Sequence, residues 1–471
     1  MDGERELPAG WVWAQLGDVA DTALGKMLDK KQSTGRHPVQ YLRNVNVQWG
    51  QIDTDDLLTM DIEPDELPRF TVSKGDLVVC EGGEIGRCAI WNRDEPIAFQ
   101  KALHRVRPSR ALDNRYLRHY LEYVAGVGVL ARFATGSTIK HLPQQRLREV
   151  PVPLPPLAEQ HRIVEVLEEQ LSRLDAGVAT LRRTQKRLDG LRKRILISSV
   201  PEELPGSWRL ATVEQAGTLE LGRARHPDWH HGPEMRRYLR VANVFEDRID
   251  AADVMEMDFS GVWEKYRLKS GDVLLNEGQS PHLVGRPALY RGFPREVAFT
   301  NSLLRFKAGT GVLPEWALLV FRRHLHAKRF MQEVRITTNI AHLSAKRLKA
   351  VEFPIPPLDV QEELVQRCDA LLSGVAAMDH EINNGLKRAR GLQTALLQRA
   401  FTGNLVPSRA GDEHASAALA RSSIAYRVAK ATRSRKAATK GVFVPGAAAA
   451  TEPAPEPTPT PVLAVQQEFD L

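Results

Sequence analysis

The sequence predicts an α+β protein built by tandem duplication, with two α/β domains separated by two long helices that form an antiparallel coiled coil of pseudo-twofold symmetry. Two observations predict this class. The chain of 471 residues repeats itself once over most of its length, and each copy ends in a proline-led stretch with apolar residues at heptad spacing. A chain of this length also exceeds what one hydrophobic core supports.

The repeat consists of matched segments that keep their order along the chain. YLRNVNVQWGQID at 41–53 returns as YLRVANVFEDRID at 238–250, IAFQKALHRVRP at 97–108 returns as VAFTNSLLRFKA at 297–308, and STIKHLPQQRLREVPVPLPPL at 137–157 returns as TNIAHLSAKRLKAVEFPIPPL at 338–358. The offset between the copies grows only from 197 to 201 residues. Chance similarity does not keep order and spacing over such a length, so the chain is a duplication.

Each copy divides into an α/β domain and a helix. Short β-like runs such as DLVVC and RCAIW, broken by glycine, alternate with helical stretches such as Asn114–Phe133 and Pro314–Val334. The predicted order is a first domain at 1–154, a helix at 155–200, a second domain at 201–355, a helix at 356–405 and a tail at 406–471. Because the tail is rich in Ala, Pro, Thr and basic residues, we expect it to be mostly disordered.

The two helices start at Pro155-Pro156 and Pro356-Pro357, since proline is tolerated only in the first helical turn. Apolar residues then recur in steps of three and four, as in a coiled coil. The predicted contact residues are Val164, Leu167, Leu171, Leu174, Val178, Leu181 and Leu188 in the first helix and Val365, Leu372, Val375, Ile382, Leu386 and Leu396 in the second. Each helix is acidic in its first half and basic in its second, which favours antiparallel pairing. The alternative is two unrelated amphipathic helices, each docked on its own domain.

Composition and charge exclude several classes of protein. No apolar run approaches the ~20 residues of a membrane span, and MDGERELPAGW lacks the apolar stretch of a secretory signal. Cys80, Cys88 and Cys368 lack CxxC spacing, which indicates buried thiols in a reducing cytoplasm rather than a zinc site or a disulfide framework. The net charge of +7 permits a nucleic-acid partner but does not require one.

Motifs of phosphate and methyl-transfer chemistry are absent from the sequence. It contains no GxxxxGK[ST] phosphate loop and no Asn/Asp-Pro-Pro-Tyr/Phe motif of adenine methylation. The glycine-rich CEGGEIG at 80–86 has no helical pattern after it, which favours a turn between strands over a phosphate-binding loop.

Two α/β domains, each followed by a long helix that opens with PLPPLxEQ, resemble the specificity (S) subunit of type I restriction–modification systems. The segments that carry the resemblance are GDLVVCEGGEIGR, GSTIKHL, PLPPLAEQHRIV and the helix ending LLQRAFTGNLVP. The resemblance covers about residues 7–407. The second copy departs from the pattern at Val360, which replaces a Glu, and at TTN, which replaces GST.

The resemblance implies a DNA-binding protein without catalytic activity. Each α/β domain would be a target recognition domain for one half of a bipartite site on double-stranded DNA, and the helices would set the gap and dock two methylation (M) subunits. Nuclease/translocase (R) subunits would join through the complex. We expect S-adenosylmethionine, ATP and Mg²⁺ on the partner subunits, no cofactor or metal on this chain, no membrane contact and a cytoplasmic location.

Candidate DNA-binding residues lie in or beside the repeated loops. They are Arg87, Lys101, His104, Arg105, Ser137, Thr138 and Lys140 in the first copy and Arg286, Asn301, Arg305, Thr338 and Asn339 in the second. Residues that differ between copies, such as Lys101 and Asn301, suit separate half-site readout, whereas shared ones, such as Arg105 and Arg305, suit phosphate contact. The alternative for each of them is a solvated surface residue.

Two further groups of basic residues have ordinary structural interpretations. His141 and His342, each followed by Leu, are interpreted as packing or hydrogen-bonding residues rather than metal ligands. RRHLHAKR at 322–329 is interpreted as a solvated basic face of a helix.

Two other classes of function stay open at this point. One is a nuclease or methyltransferase that acts alone, against which the missing motifs argue. The other is a helical scaffold without DNA readout. Salt-dependent, sequence-selective binding by an assembled S–M complex would separate a DNA reader from a scaffold.

Overall fold

The computed structural model describes residues 6–28, 35–136, 140–201, 203–337 and 340–422. The chain divides into two compact units, of which unit 1 comprises residues 1–167 and 396–471 and unit 2 comprises residues 168–395. Unit 1 therefore holds the first α/β domain, the start of the first long helix and the end of the second. Unit 2 holds the second α/β domain and the remainder of both helices.

The elements of the first copy are short strands and three short helices, followed by one long helix. The strands are β1 (Val12–Gln15), β2 (Ala20–Leu24), β3 (Pro38–Leu42), β4 (Val47–Gln48), β5 (Gln51–Ile52), β6 (Leu58–Asp61), β7 (Thr71–Val72), β8 (Leu77–Cys80), β9 (Cys88–Ile90), β10 (Ile97–Phe99), β11 (Leu103–Pro108) and β12 (Pro151–Leu154). The helices are α1 (Leu16–Val19), α2 (Asn114–Gly126), α3 (Gln144–Arg148) and the long α4 (Leu157–Ser198).

The second copy repeats this order with a few additions. Its strands are β13 (Arg209–Thr212), β14 (Gly217–Leu221), β15 (Met235–Leu239), β16 (Val244–Phe245), β17 (Arg248–Ile249), β18 (Met255–Asp258), β19 (Val273–Asn276), β20 (Gly278–Gln279), β21 (Pro287–Leu289), β22 (Val297–Phe299), β23 (Leu303–Ala308), β24 (Arg335–Thr337), β25 (Ile340–His342) and β26 (Glu352–Ile355). Its helices are α5 (Val213–Ala216), α6 (Trp263–Tyr266), α7 (Pro314–His326), α8 (Ala345–Lys349) and the long α9 (Leu358–Phe401).

The main sheets of the two units have the same topology. Strand order β2-β11-β8-β9 in unit 1 matches β14-β23-β19-β21 in unit 2, and both sheets are antiparallel. A second sheet, β6-β3-β10-β7 in unit 1 and β18-β15-β22 in unit 2, contains one parallel pair, β3 with β10 or β15 with β22. The structure thus confirms the duplicated α+β fold that the repeat predicts.

The predicted strands DLVVC and RCAIW are β8 and β9, and CEGGEIG forms the turn between them. The free thiols of Cys80 and Cys88 are buried in this hairpin, and that of Cys368 is buried on α9. The repeated Gly-Asp pair before β8 and β19 shapes a turn. The Asp76 carboxylate accepts the Ser73 amide at 2.8 Å, and the Asp272 carboxylate accepts the Lys269 amide at 2.9 Å.

The predicted helical stretches Asn114–Phe133 and Pro314–Val334 are shorter in the structure. Helix α2 ends at Gly126 and α7 at His326, and a separate 3₁₀ turn follows each of them. Gly128 and Lys328 stand before these turns with φ of +77° and +58°, the left-handed conformation that ends an α-helix.

A buried glutamine joins each α/β domain to its long helix. In unit 1 the Gln160 amide nitrogen donates to the carbonyls of Ala111 at 2.9 Å and Pro155 at 3.0 Å, and its oxygen accepts the Asp113 amide at 2.8 Å. The proline pair sets the direction of the chain, and this glutamine then fixes the helix against the domain.

Gln361 makes the same contacts in unit 2. Its amide nitrogen donates to the carbonyls of Gly311 and Pro356, both at 2.8 Å, and its oxygen accepts the Leu313 amide at 2.9 Å. Both glutamine side chains are fully buried. The repeated PPLxxQ is therefore a structural joint, which is why it occurs once in each copy.

Helices α4 and α9 pack together within unit 2. Leu188 packs with Val375 and Ile382, and the Gln185 amide donates to the Asp379 carboxylate at 2.9 Å. Further along, Leu181 lies next to Gly385. Residue numbers fall along one helix as they rise along the other, so the predicted antiparallel pairing is confirmed.

The predicted contact residues of both helices are buried or half-buried, while most residues between them are exposed. The pattern shifts by one residue near the ends, where Leu397 is buried and the predicted Leu396 is only half-buried. An α-helix has 3.6 residues per turn, so a strict heptad drifts around its surface over this length.

The start of the predicted tail packs within unit 1. The Ser408 hydroxyl donates to the Glu159 carboxylate at 3.1 Å, and the Arg162 guanidinium donates to Asp412 at 2.5 Å. Ala415 is buried. The expectation of disorder thus does not hold for this part of the segment, and residues 423–471 lie outside the described residues.

Candidate nucleic-acid interface

In unit 1 the turn at residues 100–102, between β10 and β11, joins separate chain segments through main-chain hydrogen bonds. The Lys101 amide donates to the Lys26 carbonyl at 2.9 Å, and the Glu81 amide donates to the Ala102 carbonyl at 3.0 Å. The Leu142 amide in turn donates to the Glu81 carbonyl at 2.6 Å. Three loops that are far apart in sequence therefore meet at one turn.

Unit 2 repeats this assembly around the turn at residues 300–302. The Asn301 amide donates to the Arg223 carbonyl at 2.9 Å, and the Glu277 amide donates to the Ser302 carbonyl at 2.9 Å. The Leu343 amide donates to the Glu277 carbonyl at 2.8 Å. The loops that the sequence analysis selected as separate repeated motifs thus form one surface in each unit.

Glycine is required just after β2 and β14, where the chain leading to Lys26 or Arg223 crosses the turn. A Cβ atom on Gly25 would lie 2.3 Å from the Phe99 carbonyl oxygen, and one on Gly222 would lie 2.2 Å from the Thr300 oxygen. The close approach brings a basic residue next to the turn in both units. The sequence analysis did not select these residues, although LGK at 24–26 and LGR at 221–223 recur at the offset of 197.

The sequence matches a family described as type I restriction modification DNA specificity domain over residues 8–184 and 252–388. These two segments make up more than half of the chain. The chain belongs to this family. The three-loop surface around residues 100–102 in unit 1, and that around residues 300–302 in unit 2, is called the recognition surface of its unit.

Two relatives named as specificity subunits match this chain over most of their own length. The type I restriction enzyme EcoKI specificity subunit of Escherichia coli (strain K12) is 24% identical over 442 residues, covering 88% of this chain and 95% of the relative. The StySPI specificity subunit of Salmonella potsdam is 24% identical over 422 residues, covering 85% and 90%.

Solved structures support the fold. A chain from a structure of the type I R-M system, concerned with complex assembly and conformational transition, matches with a TM-score of 0.69 at 19% identity, over 85% of this chain and 100% of that one. The HsdS subunit from Thermoanaerobacter tengcongensis matches with a TM-score of 0.52 at 19% identity, over 86% and 100%.

Several predicted residues are exposed on the recognition surfaces of this specificity-family chain. Lys101 and Lys140 in unit 1 and Asn301 in unit 2 are exposed, and their side chains form no hydrogen bond or ion pair within the described part of the chain. Lysine at one turn and asparagine at the other give the two units different hydrogen-bonding chemistry at the same place.

Arg87 and Arg286 are half-buried beside these surfaces. Arg87 donates to the Asn44 carbonyl at 3.0 Å, and Arg286 donates to the Val244 carbonyl at 2.6 Å. Each therefore supports a neighbouring loop and keeps only part of its guanidinium available to a ligand.

The structure does not support His104, Arg105 and Arg305 as DNA contacts. Arg105 donates to the Thr71 carbonyl at 2.8 Å, and Arg305 is paired with Glu220 and lies 3.5 Å from Asp272. Both guanidinium groups are buried within the fold and have partners there, so they have no route to a phosphate. Fully buried residues of this kind are structural.

His104 holds the loop next to it. Its Nε2 donates to the Leu142 carbonyl at 2.8 Å, and burial lowers its pKa to about 4, so the ring is neutral. The matched residue in unit 2 is Leu304, also buried. His104 thus positions residues 140–142 rather than contacting DNA.

The two histidines before leucine lie on the recognition surfaces. The Nδ1 of His342 is 3.3 Å from the Glu277 carboxylate, in agreement with the predicted hydrogen-bonding role. In unit 1, burial raises the pKa of Glu81, and the neighbouring His141 and Lys101 partly offset that effect. Acidic groups therefore accompany the basic ones, and carboxylates accept hydrogen bonds from cytosine amino groups.

The basic segment at 322–329 is not the solvated face that the sequence analysis predicts. Arg322 is buried and donates to Glu246 at 2.9 Å, His324 is fully buried, and Arg329 pairs with Glu352 at 2.8 Å. These three basic residues are therefore buried or ion-paired within unit 2. Ser137, Thr138, Thr338 and Asn339 lie outside the described residues.

Proposed function

We propose that this chain is the DNA-reading, non-catalytic subunit of a type I restriction–modification complex. Unit 1 reads one half of a bipartite double-stranded target, and unit 2 reads the other. The observation that carries the proposal is the three-loop surface, whose backbone is the same in both units while its exposed side chains differ. Such a pair suits a target with two unlike halves.

The long helices act as the spacer. Helix α4 has 42 residues and a length of about 60 Å at 1.5 Å per residue, which exceeds the ~34 Å of one DNA turn. The unread gap in the target is therefore set by the helices rather than by the recognition surfaces.

Two methylation subunits dock on the helices. On α9 the large apolar residues Leu371, Met378 and Leu392 are 50%, 53% and 57% exposed, at spacings of seven and fourteen residues. Apolar side chains at this spacing form a stripe beside the α4–α9 contact, and a stripe of this kind fits a partner helix. Nuclease/translocase subunits join through the methylation subunits.

S-adenosylmethionine, ATP and Mg²⁺ bind to the partner subunits, and the complex acts in the cytoplasm. Among the helices of the described residues, none combines the length and apolarity needed to cross a bilayer. The purified chain, incubated with DNA, S-adenosylmethionine and Mg²⁺, is expected to neither methylate nor cut. Turnover by the isolated chain would support the stand-alone enzyme instead.

The decisive experiment is a domain replacement. Residues 204–352 are exchanged for the equivalent domain of a relative, the chain is co-expressed with the methylation subunits, and methylated motifs are sequenced in the host genome. One half-site is expected to change while the other half-site and the gap stay the same. A change in both half-sites would overturn the two-reader proposal, and equal affinity of the S–M complex for all duplexes would favour the scaffold.

A further inference from the structure

Unit 2 carries a stack of arginine and aromatic side chains next to its recognition turn. The stack begins at Arg223, whose carbonyl accepts the Asn301 amide. The guanidinium carbon of Arg223 lies 4.1 Å from the ring centre of Trp229 and 5.2 Å from that of Phe259. The same side chain donates to the Asp258 carbonyl, so two aromatic rings and a hydrogen bond hold Arg223 in place.

The stack continues to a second arginine on β15. Trp263 packs edge-to-face against Phe259, with ring centres 6.0 Å apart, and the guanidinium carbon of Arg236 lies 5.2 Å over the Trp263 ring. Within the described ranges, Arg236 makes no hydrogen bond or ion pair, and its buried Nε is without a partner. Arg236 therefore lies over Trp263 with guanidinium donors that no described residue accepts.

Unit 1 has different residues at the matched positions. At the offset of 197, Val39 stands for Arg236 and Lys26 for Arg223. Lys26 forms an ion pair with Glu66, which neutralises it. The matched position of unit 1 therefore has no arginine, whereas in unit 2 Arg236 lies over Trp263.

An arginine that lies over an aromatic ring is preorganised for recognition of a base edge. Its parallel N–H donors match the O6 and N7 acceptors of guanine in the major groove, and little conformational freedom is lost on binding. Lysine has the same charge but lacks the fork. We propose that Arg236 is a specificity-determining residue that recognises guanine in the half-site of unit 2, with Arg223 and Trp263 as its positioning residues. This inference rests on the proposed function.

The test uses the chain in complex with its methylation subunits and duplexes that carry its methylated target. Three variants are compared: Arg236→Ala, Arg236→Lys and, as the matched control, Arg237→Ala. Arg237 is the next residue of the same strand, points to the other face and lies 3.6 Å from Glu256. Wild-type complex is also tested on duplexes in which each guanine of one half-site is replaced by 7-deazaguanine, which lacks the N7 acceptor.

Both Arg236 variants are expected to weaken binding on the order of tenfold or more, and to relax the requirement for guanine at one position of the unit 2 half-site. At that position 7-deazaguanine should weaken the wild type but not weaken Arg236→Ala further. Arg237→Ala should change binding less than threefold and leave the motif unchanged. The 7-deazaguanine series on wild-type complex gives a result even if Arg236→Ala destabilises unit 2.

Full binding by Arg236→Lys would overturn the inference, because a phosphate contact accepts lysine. Equal losses in Arg236→Ala and Arg237→Ala, or wild-type binding that no 7-deazaguanine weakens, would overturn it as well. In each of these cases a wild-type complex that still prefers its target to a scrambled duplex leaves the proposed function standing. Loss of that preference in the wild type would instead refute the proposed function.

Discussion

Gln160 in unit 1 and Gln361 in unit 2 make the same three hydrogen bonds, whereas Lys26 and Arg223, at matched positions beside the recognition turns, have unlike partners. Lys26 pairs with Glu66, and Arg223 stacks on Trp229. The comparison teaches that the duplication has kept the groups that orient each domain and has changed some of the groups around the turn, such as Lys101 to Asn301 and Lys26 to Arg223. Three experiments test how the two units are joined and how they differ.

The largest effect is expected from insertions into α4 near Gln185, whose side chain donates to Asp379 on α9. Four residues add about 6 Å, so the gap of the target should grow by one to two base pairs at ~3.4 Å each, with both half-sites unchanged. Two residues turn the contact face away from α9 and should abolish assembly. Sequencing of the methylated motif reports both outcomes. An active four-residue mutant with the original gap would show that the helices are not the spacer.

A smaller effect is expected when the joint is broken in one unit at a time. Gln160→Ala and Gln361→Ala each leave buried main-chain groups unpaired, and each should lower the free energy of unfolding by about 3 kcal/mol. Urea unfolding measures the loss, with Gln366→Ala, on an exposed face of α9, as the control. Similar losses in the two variants support equivalent joints; a loss in only one would contradict the equivalence.

The smallest effect concerns pH and is confined to unit 2. Burial alone would raise the pKa of Glu246, but hydrogen bonds from His326 and the charge of Arg322 outweigh it and lower that pKa to about 2. A carboxyl with a depressed pKa stabilises the folded state above its ordinary pKa of 4.5, and the contribution is lost as the pH falls towards 2.

Glu246→Gln should therefore cost on the order of 2 kcal/mol at pH 7, and the difference from wild type should shrink below about pH 4.5. Melting curves at pH 7 and pH 3 measure it. The matched residue in unit 1 is Trp49, which has no carboxyl to titrate. A difference that is the same at both pH values would contradict the assigned ion pairs.

Local periodicity explains why the helices were predictable. The heptad positions, from Val164 on α4 to Leu396 on α9, depend only on residue spacing within each helix. The acidic first half and basic second half of each helix predict the antiparallel direction. The repeat of PPLxxQ is evident from the sequence. Its role in joining domain and helix is not, because the hydrogen-bond partners of Gln160 lie up to 49 residues away in the chain.

The recognition surfaces were only partly predictable. Arg105 and Arg305 were expected at the surface because arginine is usually exposed, yet neighbouring strands supply partners that bury them. Arg223 and Arg236 were missed because their importance depends on rings that meet in the folded sheet. A comparison of the two copies residue by residue would have given a signal, since Val39 is apolar where the matched Arg236 is charged.

The glutamine joints contact only main-chain atoms of the domain: a carbonyl at Ala111 or Gly311 and an amide at Asp113 or Leu313. A domain with any residue at the carbonyl position and any residue except proline at the amide position fits the same joint, provided its backbone follows the same path. Gene exchange between chains of this kind would therefore combine foreign domains with resident helices at little cost in folding. Recombination alone could therefore give such chains new DNA specificities without any change in their helices.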